Sequence, residues 1–289
     1  MNLLVFGLGF TAGFYAAHAV THFDQVTGTK RAPQGDAVGR VTILPFDGAA
    51  EAVDSRLRAA LREADALLVS AGPDALGDPV LRRLEAEIAA APRLKKIVYL
   101  STIGVYGDHG GQWIDESAEA RPSNARSRTR LEAEAQWLAL GARSGKPVYV
   151  LRLSGIYGPG RNVLVKLREG TAKRLIKPDQ VFNRIHVADI ASAIDACLLS
   201  DTPAGIYNVT DDEPAPPQDV VLYAAILLGV PPPPEKDFVA AELTPMARSF
   251  YGENKRVSNM RMKRDLGVEL AFPTFREGIA ALAALGEGR

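Results

Sequence analysis

The sequence predicts an α/β chain built on a doubly wound parallel sheet, with a smaller, partly interleaved C-terminal subdomain. Three observations carry this. Short apolar runs alternate with helical patterns over the first half of the chain. The first of them, Leu3-Leu4-Val5-Phe6, is continuously apolar, as strands buried on both faces are. The first run also ends in a glycine turn that opens a helix. Strand and helix in alternation imply parallel strands with right-handed crossovers and helices on both faces.

The elements follow in order. Leu3-Leu4-Val5-Phe6 is the first strand, residues 11–21 a helix and 25–29 the second strand. Residues 41–44 form strand three, 54–64 a helix and 66–70 strand four. Residues 79–91 are an amphipathic helix and 96–100 strand five. A long charged helix spans 126–144 and a strand follows at 148–152. Beyond it, 187–199 reads as a helix, 206–209 as a strand and 278–285 as an apolar helix. The proline-rich stretches 214–217 and 231–234 read as stiff loops. Residues 1–160, together with about 184–210, are expected to form one domain, and 161–289 the C-terminal subdomain facing the substrate. There is no internal repeat and no low-complexity tail.

Gly7-Leu8-Gly9-Phe10-Thr11-Ala12 matches G-x-G-x-x-A between a strand and a helix, the context that makes the pattern meaningful. Gly7 permits the tight turn, Gly9 lets the backbone approach a pyrophosphate, and Ala12 keeps helix and sheet close. The helix start offers free N–H groups and partial positive charge to phosphates. The fold is thus Rossmann-type, and Gly7, Gly9, Phe10 and Thr11 are expected at a dinucleotide. A turn that only permits close packing is the alternative. An NAD site places Asp or Glu about 20 residues past the glycines, on the ribose 2′-hydroxyl. This chain has Thr29-Lys30-Arg31 there. Two cations and a hydroxyl suit a 2′-phosphate, so NADP is expected in preference to NAD. A solvated surface pair is the competing reading of Lys30 and Arg31.

Four further segments carry a resemblance: Ser101-Thr102-Ile103-Gly104-Val105-Tyr106-Gly107, Arg152-Leu153-Ser154-Gly155-Ile156-Tyr157-Gly158-Pro159-Gly160-Arg161, Arg184-Ile185-His186-Val187-Ala188-Asp189 and Tyr207-Asn208-Val209. With the glycine turn, their order and spacing resemble an extended short-chain dehydrogenase/reductase of the NAD(P)-dependent epimerase/dehydratase family. The resemblance implies that Thr102 hydrogen-bonds the reacting oxygen of a small-molecule substrate, such as a nucleotide sugar or a small carbonyl compound. It places Asp47 by the adenine, Ser70, Ala71 and Gly72 along the cofactor, and Tyr157 near the nicotinamide. It puts His186 and Asp189 on a segment closing the site, and it implies a homodimer through the 126–144 helix.

One element departs from the pattern. The family carries Tyr-x-x-x-Lys at the start of the helix after the V-Y-G loop, and that alignment puts Arg126 and Arg130 at the two positions. Arginine stays protonated and is no general base. The departure resembles the atypical, YeeZ-like subgroup, which keeps the cofactor turn and loses the pair. Tyr106 is a candidate replacement phenol, with a structural role as the alternative, and Ser127 is a candidate hydrogen-bond donor. His186 has a suitable intrinsic pKa and is weighed against a structural histidine. Arg126 and Arg130, at i and i+4, share a face that suits a substrate phosphate or carboxylate, against a salt-bridged surface helix through Glu132 and Glu134. The functional readings are therefore an atypical NAD(P)-dependent oxidoreductase or epimerase, and a non-catalytic dinucleotide-binding sensor or regulator.

Composition closes off other classes. Lys plus Arg and Asp plus Glu are 34 each, so no global basic field exists for nucleic acid or anionic lipid. The single cysteine, Cys197, cannot form an intramolecular disulfide, and a Cys-rich zinc site is excluded. His18 and His22 are placed on one helix, with no third ligand at motif spacing, so no metal site is expected. Residues 1–20 are apolar enough to suggest an export signal, but the first basic residue is Lys30. No stretch reaches the ~18 apolar residues of a membrane span. A cytoplasmic chain with no membrane partner is the expectation.

Overall fold

The computed structural model describes residues 1–50 and 52–288. An eight-stranded sheet organises the chain. Its order is Gly205–Val209, Val148–Leu153, Lys96–Thr102, Ala66–Val69, Asn2–Phe6, Gln25–Lys30, Val41–Pro45 and Ala37–Val38. All neighbours pair in parallel except the short edge strand Ala37–Val38, which pairs antiparallel with Val41–Pro45. The doubly wound sheet predicted from sequence is the observed architecture. Tyr207 pairs with Leu151, which seats Gly205–Val209 at the edge of the sheet.

The alternation of side chains along each strand builds two cores. Leu3 and Val5 face one layer with Tyr15, Ala16, Leu68, Leu100, Ile190 and Ile194. Leu4 and Phe6 face the other with Leu57, Leu61, Leu84, Ile88, Tyr99, Trp137 and Leu140. The first layer is covered by helices Phe10–Ala19 and Val187–Leu199, the second by Ser55–Glu63, Pro79–Ala90 and Ala125–Ser144. Each fully buried Leu or Val contributes about 1.5–3 kcal/mol relative to exposure, so a continuous apolar strand is favoured only because both faces are covered. Caps fix the helix starts. Asp78 accepts from the N–H groups of Val80 (2.8 Å) and Leu81 (3.0 Å), and its other oxygen accepts from Trp137 Nε1 (3.0 Å), locking two helices together.

The C-terminal part differs from expectation in detail. Pro217 does not lie in a loop: it occupies the first turn of helix Pro217–Leu228, where its missing N–H costs nothing. The expected helix at 278–285 is Phe275–Ala284, started by a capping box between Thr274 and Glu277. Three two-stranded parallel pairs, including Gly155–Tyr157 with Arg184–His186, escaped the sequence reading because each is two or three residues long.

Candidate functional site

The glycine turn has the geometry of an anion cradle. Gly7 has φ of +87°, and a Cβ there would lie 2.8 Å from the Ala71 nitrogen. That nitrogen and the one of Ser70 both donate to the Phe6 carbonyl, at 3.0 and 2.8 Å, so the loop of Ser70, Ala71 and Gly72 is folded onto the turn. Gly9 caps helix Phe10–Ala19 with no side-chain hydrogen bond at its start. A Cβ on Gly9 would meet nothing within 4 Å, so the space beside it belongs to no part of the described chain. Free N–H groups at a helix start beside open space fit a pyrophosphate. Phe10 lies beneath the Arg161 guanidinium, 5.3 Å from ring centre to Cζ, and Thr11 is buried.

Two cavities lie among the described residues, neither lined by the turn itself. The smaller, about 340 Å³, is lined by Arg31, Phe46, Asp47, Val53 and Asp54. Asp47 accepts from Ala49 N (2.7 Å) and Ala50 N (2.8 Å), and these bonds hold its carboxyl below the usual range. Lys30 is exposed at the strand end, and its carbonyl accepts from Phe46 N. The hydroxyl of Thr29 is not available to a 2′-phosphate as expected. It is buried and accepts from Gly7 N at 3.0 Å, tying the second strand to the glycine turn.

The larger cavity is about 960 Å³, and Arg161 in its lining lies over the Phe10 ring. Thr102, Gly104 and Tyr157 line it, with the cations Arg161, Lys166, Arg184 and Lys255 and the phenol Tyr251. Thr102 ends the Lys96–Thr102 strand, and its oxygen accepts from Gly104 N at 3.1 Å. No described bond uses its O–H. Ser127 approaches from the helix: a Cβ on Gly104 would lie 3.4 Å from both Ser127 Oγ and Thr102 Oγ1. The two hydroxyls thus flank one glycine at the cavity edge.

Four sequence expectations lie elsewhere. Tyr106 is fully buried, and its hydroxyl donates to Asn208 Oδ1 (2.8 Å) beneath Arg152; a catalytic role is not carried by this geometry. His186 is outside the cavity lining and packs on Phe272, with Nδ1 accepting from Ala188 N at 3.2 Å. Burial without a partner for Nε2 lowers its pKa to about 4, so it is a neutral core residue at pH 7. Arg130 is not a free anion receptor: Nη1 donates to the Leu100 carbonyl (2.9 Å) and the Tyr99 hydroxyl, and Nη2 lies beside Gly72. Arg126 is exposed at the helix start and lines neither cavity. Tyr157 does line the large cavity, but its hydroxyl points at Gly278 of the last helix.

The expected salt-bridged surface helix is also corrected. Glu134 is 1% exposed and takes a bidentate grip from Arg152, with Nη2 to Oε2 at 2.7 Å, and it accepts from the Ser101 hydroxyl. This cluster fixes helix Ala125–Ser144 against the strands that carry Thr102 and Leu153.

Sequence reasoning missed the segment that walls the cavity from the C-terminal side. Tyr251 is held between Phe182 and Phe238, with ring centroids at 5.1 and 4.8 Å. Lys255 donates to the carbonyl of Gly107 (2.6 Å) and to Glu253 (2.7 Å). Of this Tyr and Lys four apart, Lys255 meets the V-Y-G loop, from a loop rather than from the helix, while Tyr251 packs between the two phenylalanines. The spacing in Tyr251-Gly252-Glu253-Asn254-Lys255 was the available signal. The structure also brings a third ligand-type side chain to the His18–His22 pair. His22 sits in the turn after helix Phe10–Ala19, and Asp195 joins His18 and His22 from the Val187–Leu199 helix.

Comparison with known proteins agrees with the geometry. Residues 81–210 match the model of the NAD dependent epimerase/dehydratase family. Protein YeeZ of Escherichia coli (strain K12) is 29% identical, over 94% of this chain and 96% of its own. The structure of a functionally unknown conserved protein from Silicibacter pomeroyi is 46% identical, with a TM-score of 0.86 and 99% of both chains covered. dTDP-glucose 4,6-dehydratase from Bacillus anthracis, solved in complex with NAD, is 19% identical and shares the fold, with a TM-score of 0.78 over 99% of this chain and 96% of that one. No described helix is long and apolar enough to cross a membrane. The family match covers residues 81–210, a little under half of the chain, and the fold is one the chain shares with these solved structures.

Proposed function

We propose that the chain is an NADP-dependent oxidoreductase or epimerase of the atypical, YeeZ-like kind, acting on a carbonyl-bearing anionic substrate such as a nucleotide sugar. The observation that carries this is the 960 Å³ cavity at the end of the Lys96–Thr102 strand, which brings Thr102 together with Arg161 and Lys166. Ligands of open α/β sheets bind at this edge. The pyrophosphate would lie against Gly7, Gly9 and the helix start. Asp47, Ser70, Ala71 and Gly72 would line the adenosine and ribose, and Lys30 and Arg31 would receive the 2′-phosphate. The nicotinamide supplies hydride chemistry when bound.

The remaining work falls to the chain's own groups. Thr102, with Ser127 beside it, donates to the reacting oxygen and polarises it. Tyr251 is the phenol we assign as proton donor, because its ring faces the same cavity. Burial raises its pKa, so it is a neutral O–H donor at pH 7. Arg161 and Lys166 offer charge to substrate phosphates.

The test is a turnover screen of carbonyl and sugar-nucleotide substrates with NADPH, followed by the Thr102→Val and Tyr251→Phe variants. Turnover lost in both variants, with cofactor binding intact, supports the assignment. Tight NADPH binding with no turnover across the panel favours the second reading, a non-catalytic sensor. That reading draws on Arg126 and Arg130 standing where the family carries its Tyr and Lys.

A further inference from the structure

We propose that His18, His22 and Asp195 form a binding site for a borderline divalent cation such as Zn²⁺, on the sheet face carrying helices Phe10–Ala19 and Val187–Leu199. One ligand atom from each of the three lies within 4.8 Å of the others. His18 Nε2 already meets Asp195 Oδ2 at 2.8 Å, and the two imidazoles are 5.1 Å apart between centroids. Tetrahedral zinc with bonds of about 2.0–2.1 Å needs its ligand atoms about 3.3 Å apart, within reach of small rotations of exposed rings. Two imidazoles and a carboxylate are a donor set that zinc takes, with water completing the shell.

Two features separate this arrangement from a chance surface pair. Asp195 is oriented from below: its Oδ1 accepts from the hydroxyl of Tyr15 at 2.9 Å, and Tyr15 is fully buried. That bond leaves Oδ2 facing the histidines, as hydrogen-bonded carboxylate ligands are held in metal sites. The histidines also lie at the C-terminal end of helix Phe10–Ala19, where the negative end of the dipole favours a cation. The ion would bridge a helix that starts at the glycine turn to a helix whose parent residue lies 177 positions on. The site therefore clamps the cofactor-side helix without touching either cavity.

The experiment titrates full-length protein with Zn²⁺ alone against a chromogenic zinc chelator at pH 7.5. One equivalent is expected to bind, weakened about ten-fold or more in His22→Ala and Asp195→Asn and about ten-fold in Tyr15→Phe. His109→Ala should bind as the parent does. Thermal unfolding of each variant without metal confirms that it folds, and Zn²⁺ should raise Tm in the parent but not in His22→Ala. No saturable binding up to about 100 μM free Zn²⁺, or equal binding by parent, His22→Ala and Asp195→Asn, overturns the proposal and leaves a His–Asp surface pair.

Discussion

Replacing Glu134 by Ala should destabilise the fold far more than a charged helix residue would suggest. The carboxylate is 1% exposed, and Arg152 beside it is 4% exposed. Truncation removes three guanidinium bonds, at 2.7, 3.1 and 3.2 Å, and the acceptor of the Ser101 hydroxyl. It leaves a buried, uncompensated cation, which typically costs about 3–5 kcal/mol. At about 2.1 cal/mol/K per residue the chain's unfolding entropy is about 0.6 kcal/mol/K, so Tm should fall by about 5–8 °C. Circular dichroism melts of the parent and Glu134→Ala measure this. The double variant Glu134→Leu/Arg152→Met should recover most of the loss, because removing both charges removes the uncompensated one. A fall under about 1 °C, or a double variant no better than the single, would refute the reasoning.

Four other outcomes follow from the same geometry. Gly9→Val should leave Tm nearly unchanged, since nothing lies within 4 Å of the new Cβ, while NADPH affinity drops about ten-fold or more in a fluorescence titration. Thr102→Val should lower kcat/KM by about 10–100-fold, the effect of one hydrogen bond to a reacting oxygen, with cofactor affinity preserved. Converting Lys30 and Arg31 to Gln should weaken NADPH by about 10–30-fold and leave NADH unchanged. His186 is buried neutral with its pKa lowered to about 4, so the unfolded chain binds the extra proton between about pH 6.5 and 4, and this residue's contribution is lost as pH falls through that window. Asp211, raised to about 8 by burial, acts in the opposite direction over the same range. The readout is therefore the difference in denaturant stability between the parent and His186→Asn. That gap should narrow from pH 7 to pH 4, and a constant gap would contradict it.

The central sheet was legible because burial on both faces leaves a strong mark: runs such as Leu3-Leu4-Val5-Phe6 admit few other readings. The glycine turn was legible because Gly7 and Gly9 meet backbone demands that other residues do not. What escaped was long-range. Nothing local distinguishes Glu134, buried against Arg152, from Glu132 on the same helix, because burial of a carboxylate depends on a strand 18 residues on. Thr29 looked like a phosphate ligand until its hydroxyl was seen to serve Gly7. Lys255 reaches the V-Y-G loop across 148 residues, and Asp195 reaches His18 across 177. Tyr106 and His186 were singled out for their chemistry, and packing uses them instead.

The most direct test of the account is a parallel fluorescence titration of the purified chain with NADPH and with NADH. The account predicts saturable NADPH binding, tighter than NADH by about ten-fold or more, and weakened about ten-fold or more in Gly9→Val. Absence of binding by either nucleotide would contradict it, and equal affinity for the two would remove the role given to Lys30 and Arg31.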